Sequence, residues 1–331
     1  MYYLKNNLKK QVSCLKKSKF FQISYFVFFR IKKTIFKNFR KPLLAGIKLT
    51  NICNLKCLHC PFWRSNKKQS LTWKEIKTVL KKLYDDGVRI AIFEGGEPLL
   101  WKDPSENKNI NDVIELSKKY FFLAAVTTNG TLDFSGIRSE IIFISLDGLE
   151  AAHNNIRGDV FNIIINNIKK NNELKKIIIN ITISKINLGD VVLLIKFLQG
   201  MVFGITIQFF YPYEGVENLS LNSIEKEEII NDIIKLKKEG YKILDSTAAL
   251  KKMIRNNWKC EDYLVASIDP DGKINYGCYL KNRVKSISCE NCGFLAHCEI
   301  SLSFQLNTDA LIAAKKIFWD KVSFPNQEEI F

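Results

Sequence analysis

Eight of the nine cysteines fall into two groups, and their spacing points to chemistry. Cys53, Cys57 and Cys60 stand in the run Thr50-Asn51-Ile52-Cys53-Asn54-Leu55-Lys56-Cys57-Leu58-His59-Cys60-Pro61, spaced C-x3-C-x2-C. Three thiolates on one short loop can hold three irons of a cubane and leave the fourth iron without a protein ligand, open to an exogenous molecule. The spacing alone also admits a zinc ion, with His59 the only nearby fourth ligand, or reduced structural cysteines. The second group, Cys260, Cys278, Cys289, Cys292 and Cys298, is spaced C-x17-C-x10-C-x2-C-x5-C and admits a second cluster or a structural zinc knuckle. Only Cys14 stands apart. In a reducing compartment such grouping points to metal rather than to disulfides.

The elements that must position these residues are written in the hydrophobic pattern. Short β-branched runs at 44–49, 88–93, 122–126, 141–146, 177–183 and 202–209 alternate with helix patterns at 72–86, 111–119, 160–170, 191–198 and 224–239. Such βα units fit an α/β barrel, complete or partial, or a doubly wound sheet. From about residue 245 the alternation stops. Residues 255–300 are rich in Cys, Gly and turn residues, and little there reads as a long helix. A segment this short has little core of its own, so a metal staple is the natural reading. A last helix is expected at 309–319. There is no internal repeat and no low-complexity tract.

Further motifs follow successive strands. Glu94-Gly95-Gly96-Glu97-Pro98 follows the second, Thr127-Thr128-Asn129-Gly130 the third and Ser145-Leu146-Asp147-Gly148 the fourth, and His153-Asn154-Asn155-Ile156-Arg157-Gly158 comes next. All lie at C-terminal strand ends, the face where α/β barrels carry active sites. Paired glycines let a backbone approach a ligand, and the Glu97 carboxylate suits an ammonium group. An ordinary tight turn would explain Gly95–Gly96 alone, but not the cysteine loop one unit earlier.

Over roughly residues 44–300 this constellation resembles the radical S-adenosylmethionine (SAM) superfamily. The resemblance implies an α/β fold, a partial (β/α)6 TIM-type barrel with a small C-terminal Cys-rich metal-binding module. It implies a [4Fe–4S] cluster on Cys53, Cys57 and Cys60 with SAM on the open iron. Gly95, Gly96, Glu97 and Pro98 would meet the SAM amino group, Ser145 and Arg157 its carboxylate and ribose, and Asn129 and Asp147 complete the cofactor set. Two positions depart from the pattern: His59 replaces a common aromatic residue, and Asn154 a frequent Asp. His153 reads as structural. The implied reaction is reductive cleavage of SAM to a 5′-deoxyadenosyl radical that takes hydrogen from an unactivated carbon, fed by ferredoxin or flavodoxin. No catalytic side chain is assigned.

The second cysteine group resembles the twitch and SPASM extensions of that superfamily, as does the turn Asp269-Pro270-Asp271-Gly272-Lys273. Five cysteines are too few for a full SPASM module. The resemblance therefore implies one auxiliary [4Fe–4S] cluster on Cys260, Cys278, Cys289 and Cys292, with Cys298 able to replace one of them.

With 331 residues, 47% hydrophobic and 12% aromatic, the chain can bury a large core and is not disordered. No run reaches the roughly 18–20 apolar residues of a membrane span. Residues 20–29 are interrupted by Gln22 and Ser24, end at Arg30 and lack a cleavage pattern. The expected location is cytoplasmic, with peripheral attachment to the inner membrane face as the variant. Three regions are expected: a basic, aromatic-rich arm (1–41), a core domain (42–244) and an auxiliary domain with a final helix (245–331).

Of the net charge of +16, +12 belongs to the arm, which holds twelve Lys/Arg and no Asp or Glu. As a helix it would place Arg30, Lys33, Lys37 and Arg40 on one face and Phe28, Ile31, Ile35 and Phe39 on another, suiting a membrane interface. The same residues also fit aromatic packing on the barrel with solvated lysines. Nucleic acid is not an expected partner, because the body lacks an RNA-binding module. The arm directs the substrate expectation to a membrane lipid or isoprenoid, a layout similar to lipid-modifying members such as the adenosylhopene synthases. The alternative is peptide modification, and a non-catalytic iron–sulfur or zinc protein is the remote one.

Overall fold

A computed structural model of the protein describes residues 18–36, 38–65 and 67–321. Cys14 and Lys37 lie outside the described residues. Six parallel strands follow one another across the sheet in chain order: β1 (Leu44–Lys48), β2 (Ile90–Glu94), β3 (Leu123–Thr128), β4 (Ile141–Ser145), β5 (Ile177–Ile183) and β6 (Gly204–Phe209). They are the six expected, and helices form every crossover except that from β3 to β4, which is the loop 129–140. The strands read as near-continuous apolar runs because a parallel sheet is covered on both faces. Beyond β1, β7 (Val265–Ile268) pairs in parallel, Leu44 opposite Val265, and β8 (Ile274–Tyr276) pairs antiparallel to β7. The result is an open, eight-stranded partial barrel.

Register divides the concave face into two layers. Ile92, Ala125, Ile141, Phe143 and Ile178 make a lower, apolar layer, closed by Ile317 and Phe318 of a C-terminal helix. Lys48, Glu94, Thr127, Ser145, Asn180, Thr182, Thr206 and Gln208 make an upper, polar layer near the C-terminal strand ends. The convex face carries the main core, including Ile47, Phe93, Val126, Ile144, Ile179 and Ile207.

Local signals set the helices. In chain order they are α1 (Lys19–Ile35), α2 (Trp73–Asp86), α3 (Ile110–Ser117), α4 (Glu150–Arg157), α5 (Phe161–Asn171), α6 (Val191–Phe197), α7 (Ser223–Lys238), α8 (Thr247–Arg255), α9 (Leu295–Phe304) and α10 (Thr308–Phe318). Helix α2 opens with a capping box of Thr72 and Glu75, buries Ile76, Val79, Leu80 and Leu83, and stops at Gly87 with φ 115°. Asn222 and Glu225 cap α7 in the same way. Helices α8 and α9 and strand β7 show that regular structure continues after the alternation stops near residue 245, and α9 corrects the reading that little of 255–300 is helical.

Helix α1 lies across the N-terminal ends of the strands. Tyr25 donates to the Gly87 carbonyl at 2.9 Å, and the Tyr25 and Phe122 rings meet edge to face at 5.4 Å. Phe26 packs on Trp319, and Phe29 on Phe39. The aromatic packing expected for the arm is present, but its faces differ from the sequence reading. Arg30 and Lys33 turn toward Phe304 and Tyr263, whereas Phe28, Ile31 and Ile35 are exposed.

Candidate active site

The cysteine loop leaves β1 and lies against the glycine loop that leaves β2. Gly96 N donates to Thr50 O at 2.7 Å and Glu97 N to Ile52 O at 2.9 Å. A Cβ on Gly95 would collide with the Thr50 carbonyl, and one on Gly96 with the Ile52 carbonyl. The paired glycines are therefore required for two loops to touch. Further anchors are Trp63 Nε1 to Cys57 O and Leu58 N to Ile156 O, each at 2.8 Å.

Hydrogen-bond donors surround the sulfurs of this loop. Cys53 Sγ accepts from Leu55 N at 3.4 Å and from Asn129 Nδ2 at 3.9 Å, and Arg157 Nη1 reaches Cys57 Sγ at 3.8 Å. Burial pushes the Cys57 thiol up to about 11, with the Arg157 guanidinium opposing and the Cys60 and Cys53 sulfurs adding. Donors aimed at sulfur are what thiolate ligands of a metal centre need. Among the described residues no three His, Cys, Asp or Glu side chains converge as the ligands of a single ion. A cubane makes another demand, since each iron takes one thiolate and the sulfurs surround a cluster. The loop fits a cluster better than it fits zinc.

Several residues expected to bind cofactor also hold this frame. Glu97 is fully buried, and its carboxylate accepts from Leu99 N (3.1 Å), Thr128 Oγ1 (2.8 Å) and Asn129 N (2.8 Å). Through these three bonds Glu97 braces the glycine loop against the end of β3. Pro98 is buried and starts a short 3-10 turn. Asn129 also ties Cys53 and Asn54 to β3. Asp147 is enclosed and pairs with Arg157 Nε at 2.6 Å while accepting from Thr182 N at 2.9 Å. Burial alone would raise the Asp147 carboxyl, but Arg157 holds it below its usual range. Arg157 thus links Asp147 to Cys57.

Gly95 and Gly96 line the cavity, and Ser145 closes β4 on the concave face. His153 is buried and accepts from Asp147 N through Nδ1, with burial lowering it to about 4, so it is the structural residue expected. The His59 ring stands edge-on to Phe210.

A cavity of about 480 Å³ opens beside Gly95 and Gly96 between the Pro61–Ser65 turn and the Asp269–Asp271 turn. Its polar residues escaped sequence reading. Lys48 Nζ pairs with Glu94 Oε1 at 3.1 Å and lies 4.3 Å from the Tyr279 ring and 4.8 Å from that of Phe62. Burial lowers the Lys48 pKa, and Glu94 opposes that. Arg283 Nη2 pairs with Asp269 Oδ1 at 2.7 Å, and Arg283 Nη1 donates to Ser267 Oγ at 3.0 Å. A charged residue inside a strand buried on both faces was the available signal for Lys48; Arg283 carried none.

Cys260, Cys278, Cys289 and Cys292 lie on loops around β7 and β8 and ahead of α9. Burial raises the pKa values of Cys260, Cys278 and Cys292, and the charge of nearby cysteine sulfurs adds to the rise. Cys298, expected as an alternative ligand, is fully buried in α9 with its thiol directed to the Ala249 carbonyl. The Cys289–Cys292 turn presses on β6. Gly293 O accepts from Phe209 N at 2.9 Å, and a Cβ on Gly293 would collide with the Phe209 carbonyl.

Residues 47–198 match the family model of the Radical SAM superfamily. Among curated proteins, the subtilosin biosynthesis protein AlbA of Bacillus subtilis is 32% identical over 36% of this chain, which spans only 28% of AlbA's length. The GTP 3′,8-cyclase of Campylobacter jejuni is 28% identical over 70% of this chain and 73% of its own. Among solved structures, Streptococcus suis SuiB bound to its precursor peptide SuiA shares the fold, with a TM-score of 0.61 and 17% identity over 81% of this chain and 67% of SuiB. That superfamily uses a [4Fe–4S] cluster and SAM, which the donor set around Cys53, Cys57 and Cys60 fits. The strand-end motifs, the cysteine loop they brace and the family model matched over residues 47–198 together identify in this chain a radical SAM domain, the domain of a superfamily of enzymes.

Proposed function

We propose that this enzyme holds its SAM-binding cluster on Cys53, Cys57 and Cys60 and an auxiliary [4Fe–4S] cluster on Cys260, Cys278, Cys289 and Cys292, and that it modifies a peptide. Residues 42–244 would be the core domain and 245–331 the auxiliary one. When bound, cluster and SAM supply one-electron cleavage of a carbon–sulfur bond, fed by ferredoxin or flavodoxin, and through it hydrogen abstraction from an unactivated carbon. The chain's own residues do the rest. Arg157 sets a positive charge beside Cys57, favouring its thiolate. The Pro61–Ser65 and Asp269–Asp271 turns cover the cavity.

The substrate reading rests on the polar lining of that cavity. Lys48–Glu94 and Arg283–Asp269 form two ion pairs at its wall, and Arg64 and Asp271 also line it. The apolar chain of a membrane lipid or isoprenoid, the substrate class first expected, would strip water from these groups and return no hydrogen bonds. A peptide backbone offers donors and acceptors throughout. AlbA, named for bacteriocin biosynthesis, and SuiB, solved with a precursor peptide, support the same class.

The test compares peptides, lipids and small metabolites from strains with and without the gene, beside anaerobic assays of the purified protein. A mass change in a peptide is expected, together with SAM-dependent release of 5′-deoxyadenosine that Cys57→Ala abolishes. A change confined to lipids or small metabolites would overturn the peptide reading. Undiminished release by Cys57→Ala would overturn the cluster assignment.

A further inference from the structure

Helix α1 has a second apolar side that remains exposed among the described residues. Tyr25, Phe26 and Phe29 face the strand ends. On the other side Phe20, Ile23, Val27, Ile31 and Ile35 recur every three or four residues, each between 49% and 81% exposed. They form one stripe about 22 Å long. A continuous apolar stripe of this size on a water-facing helix marks an interaction surface.

We propose that this stripe seats α1 in the interface of an anionic bilayer, with the barrel mouth turned away from the membrane. The charge of the surrounding chain selects this occupant. Residues 1–41 hold twelve Lys/Arg and no acidic residue, and Lys19 and Lys32 belong to α1 itself. An apolar stripe amid a one-sided positive charge suits a helix lying in the plane of an anionic surface. Among the described residues no helix is long and apolar enough to cross a membrane. Orientation follows from where α1 is fixed. Tyr25 bonds Gly87 just ahead of β2, and Phe21, Tyr25 and Phe26 all pack on Phe122 just ahead of β3. The cysteine loop and cavity lie at the opposite strand ends. A membrane-seated enzyme would thus open toward water. This surface stands whether or not the peptide reading holds.

The experiment uses the full chain and mixed phosphatidylglycerol–phosphatidylcholine vesicles, with pure phosphatidylcholine vesicles for comparison. The protein should sediment with the mixed vesicles at least about tenfold more strongly, and added salt should weaken but not abolish the binding. Ile23→Ser with Val27→Ser and Ile31→Ser should lower the binding by about tenfold or more. These side chains are about half exposed, so the melting temperature should stay at the wild-type value, separating lost docking from lost folding. Undiminished binding by the triple variant overturns the proposal. So does RNA displacing the vesicles, or a wild-type dimer that the triple variant converts to monomer. For orientation, the added fluorescence of Ile31→Trp should be quenched by brominated lipid and that of Glu214→Trp, in the loop after β6, should not. The reverse pattern overturns the mouth-away arrangement.

Discussion

Glu97 occupies the position from which a carboxylate was expected to meet an ammonium, yet its oxygens close three bonds within the protein. Burial raises its pKa, and the bonds from Asn129, Thr128 and Leu99 oppose the rise. Glu97→Ala would leave three buried donors without an acceptor, a loss of roughly 3 kcal/mol or more. Iron-free Glu97→Ala should therefore unfold at a clearly lower denaturant concentration than wild type. If it kept wild-type stability and lost only SAM affinity, the bracing role would be wrong. Gly96 invites a paired comparison. Gly96→Ala puts a methyl into the Ile52 carbonyl, whereas Gly136→Ala points its methyl into open space. After reconstitution Gly96→Ala should retain less than about half of the wild-type iron and Gly136→Ala all of it; equal retention would mean the two loops need not touch. The cysteines and glycines were legible because type and spacing carry their chemistry. The partners of Glu97 were not, because Thr128 and Asn129 arrive from another strand end.

Among the elements, the six core strands and their crossover helices were legible because β-branched runs and three-to-four-residue apolar spacing are local properties. Val265–Ile268 was not: four residues show no periodicity, and the free edge of β1 makes them a strand. Leu295–Phe304 was missed as well, since Leu295, His297, Cys298, Ser301 and Leu302 are all buried and leave no clean apolar stripe. One contact of that helix can be tested by pH. Glu299 accepts from Ser246 N and Ser246 Oγ, tying α9 to the cap of α8. Burial lifts Glu299 to about 7, although the bonds from Ser246 oppose it. Unfolded, it would titrate near an ordinary 4.3, so between these values the folded chain binds the extra proton. Stability from this group therefore falls as pH rises through that window. Glu299→Gln keeps an acceptor and cannot ionise, so relative to wild type its melting temperature should improve by a few degrees from pH 5 to pH 8. A constant difference across that range would contradict the raised pKa.

Across the whole molecule, the cysteine-rich segment touches both ends of the open sheet. At one end β7 adds to β1; at the other Gly293 bonds Phe209 at the end of β6. A cluster on Cys260, Cys278, Cys289 and Cys292 would cross-link the loops between these contacts and act as a clasp on the barrel mouth. The SAM-site loop is held differently, by Thr50, Ile52, Asn129 and Arg157 through other elements. The two clusters should consequently be separable. In Cys289→Ser with Cys292→Ser, iron should fall from about eight to about four atoms per chain. Slow release of 5′-deoxyadenosine without substrate should persist. Loss of the clasp should show as faster amide exchange in Gly204–Phe209 and Val265–Ile268, while Ile90–Glu94, paired on both sides in mid-sheet, keeps its protection. Complete loss of iron would mean that the two sites fold as one unit. Unchanged exchange at both edges would mean that the Gly293–Phe209 contact and the packing of α9 hold the mouth without metal, leaving the auxiliary cluster free for substrate or electrons alone.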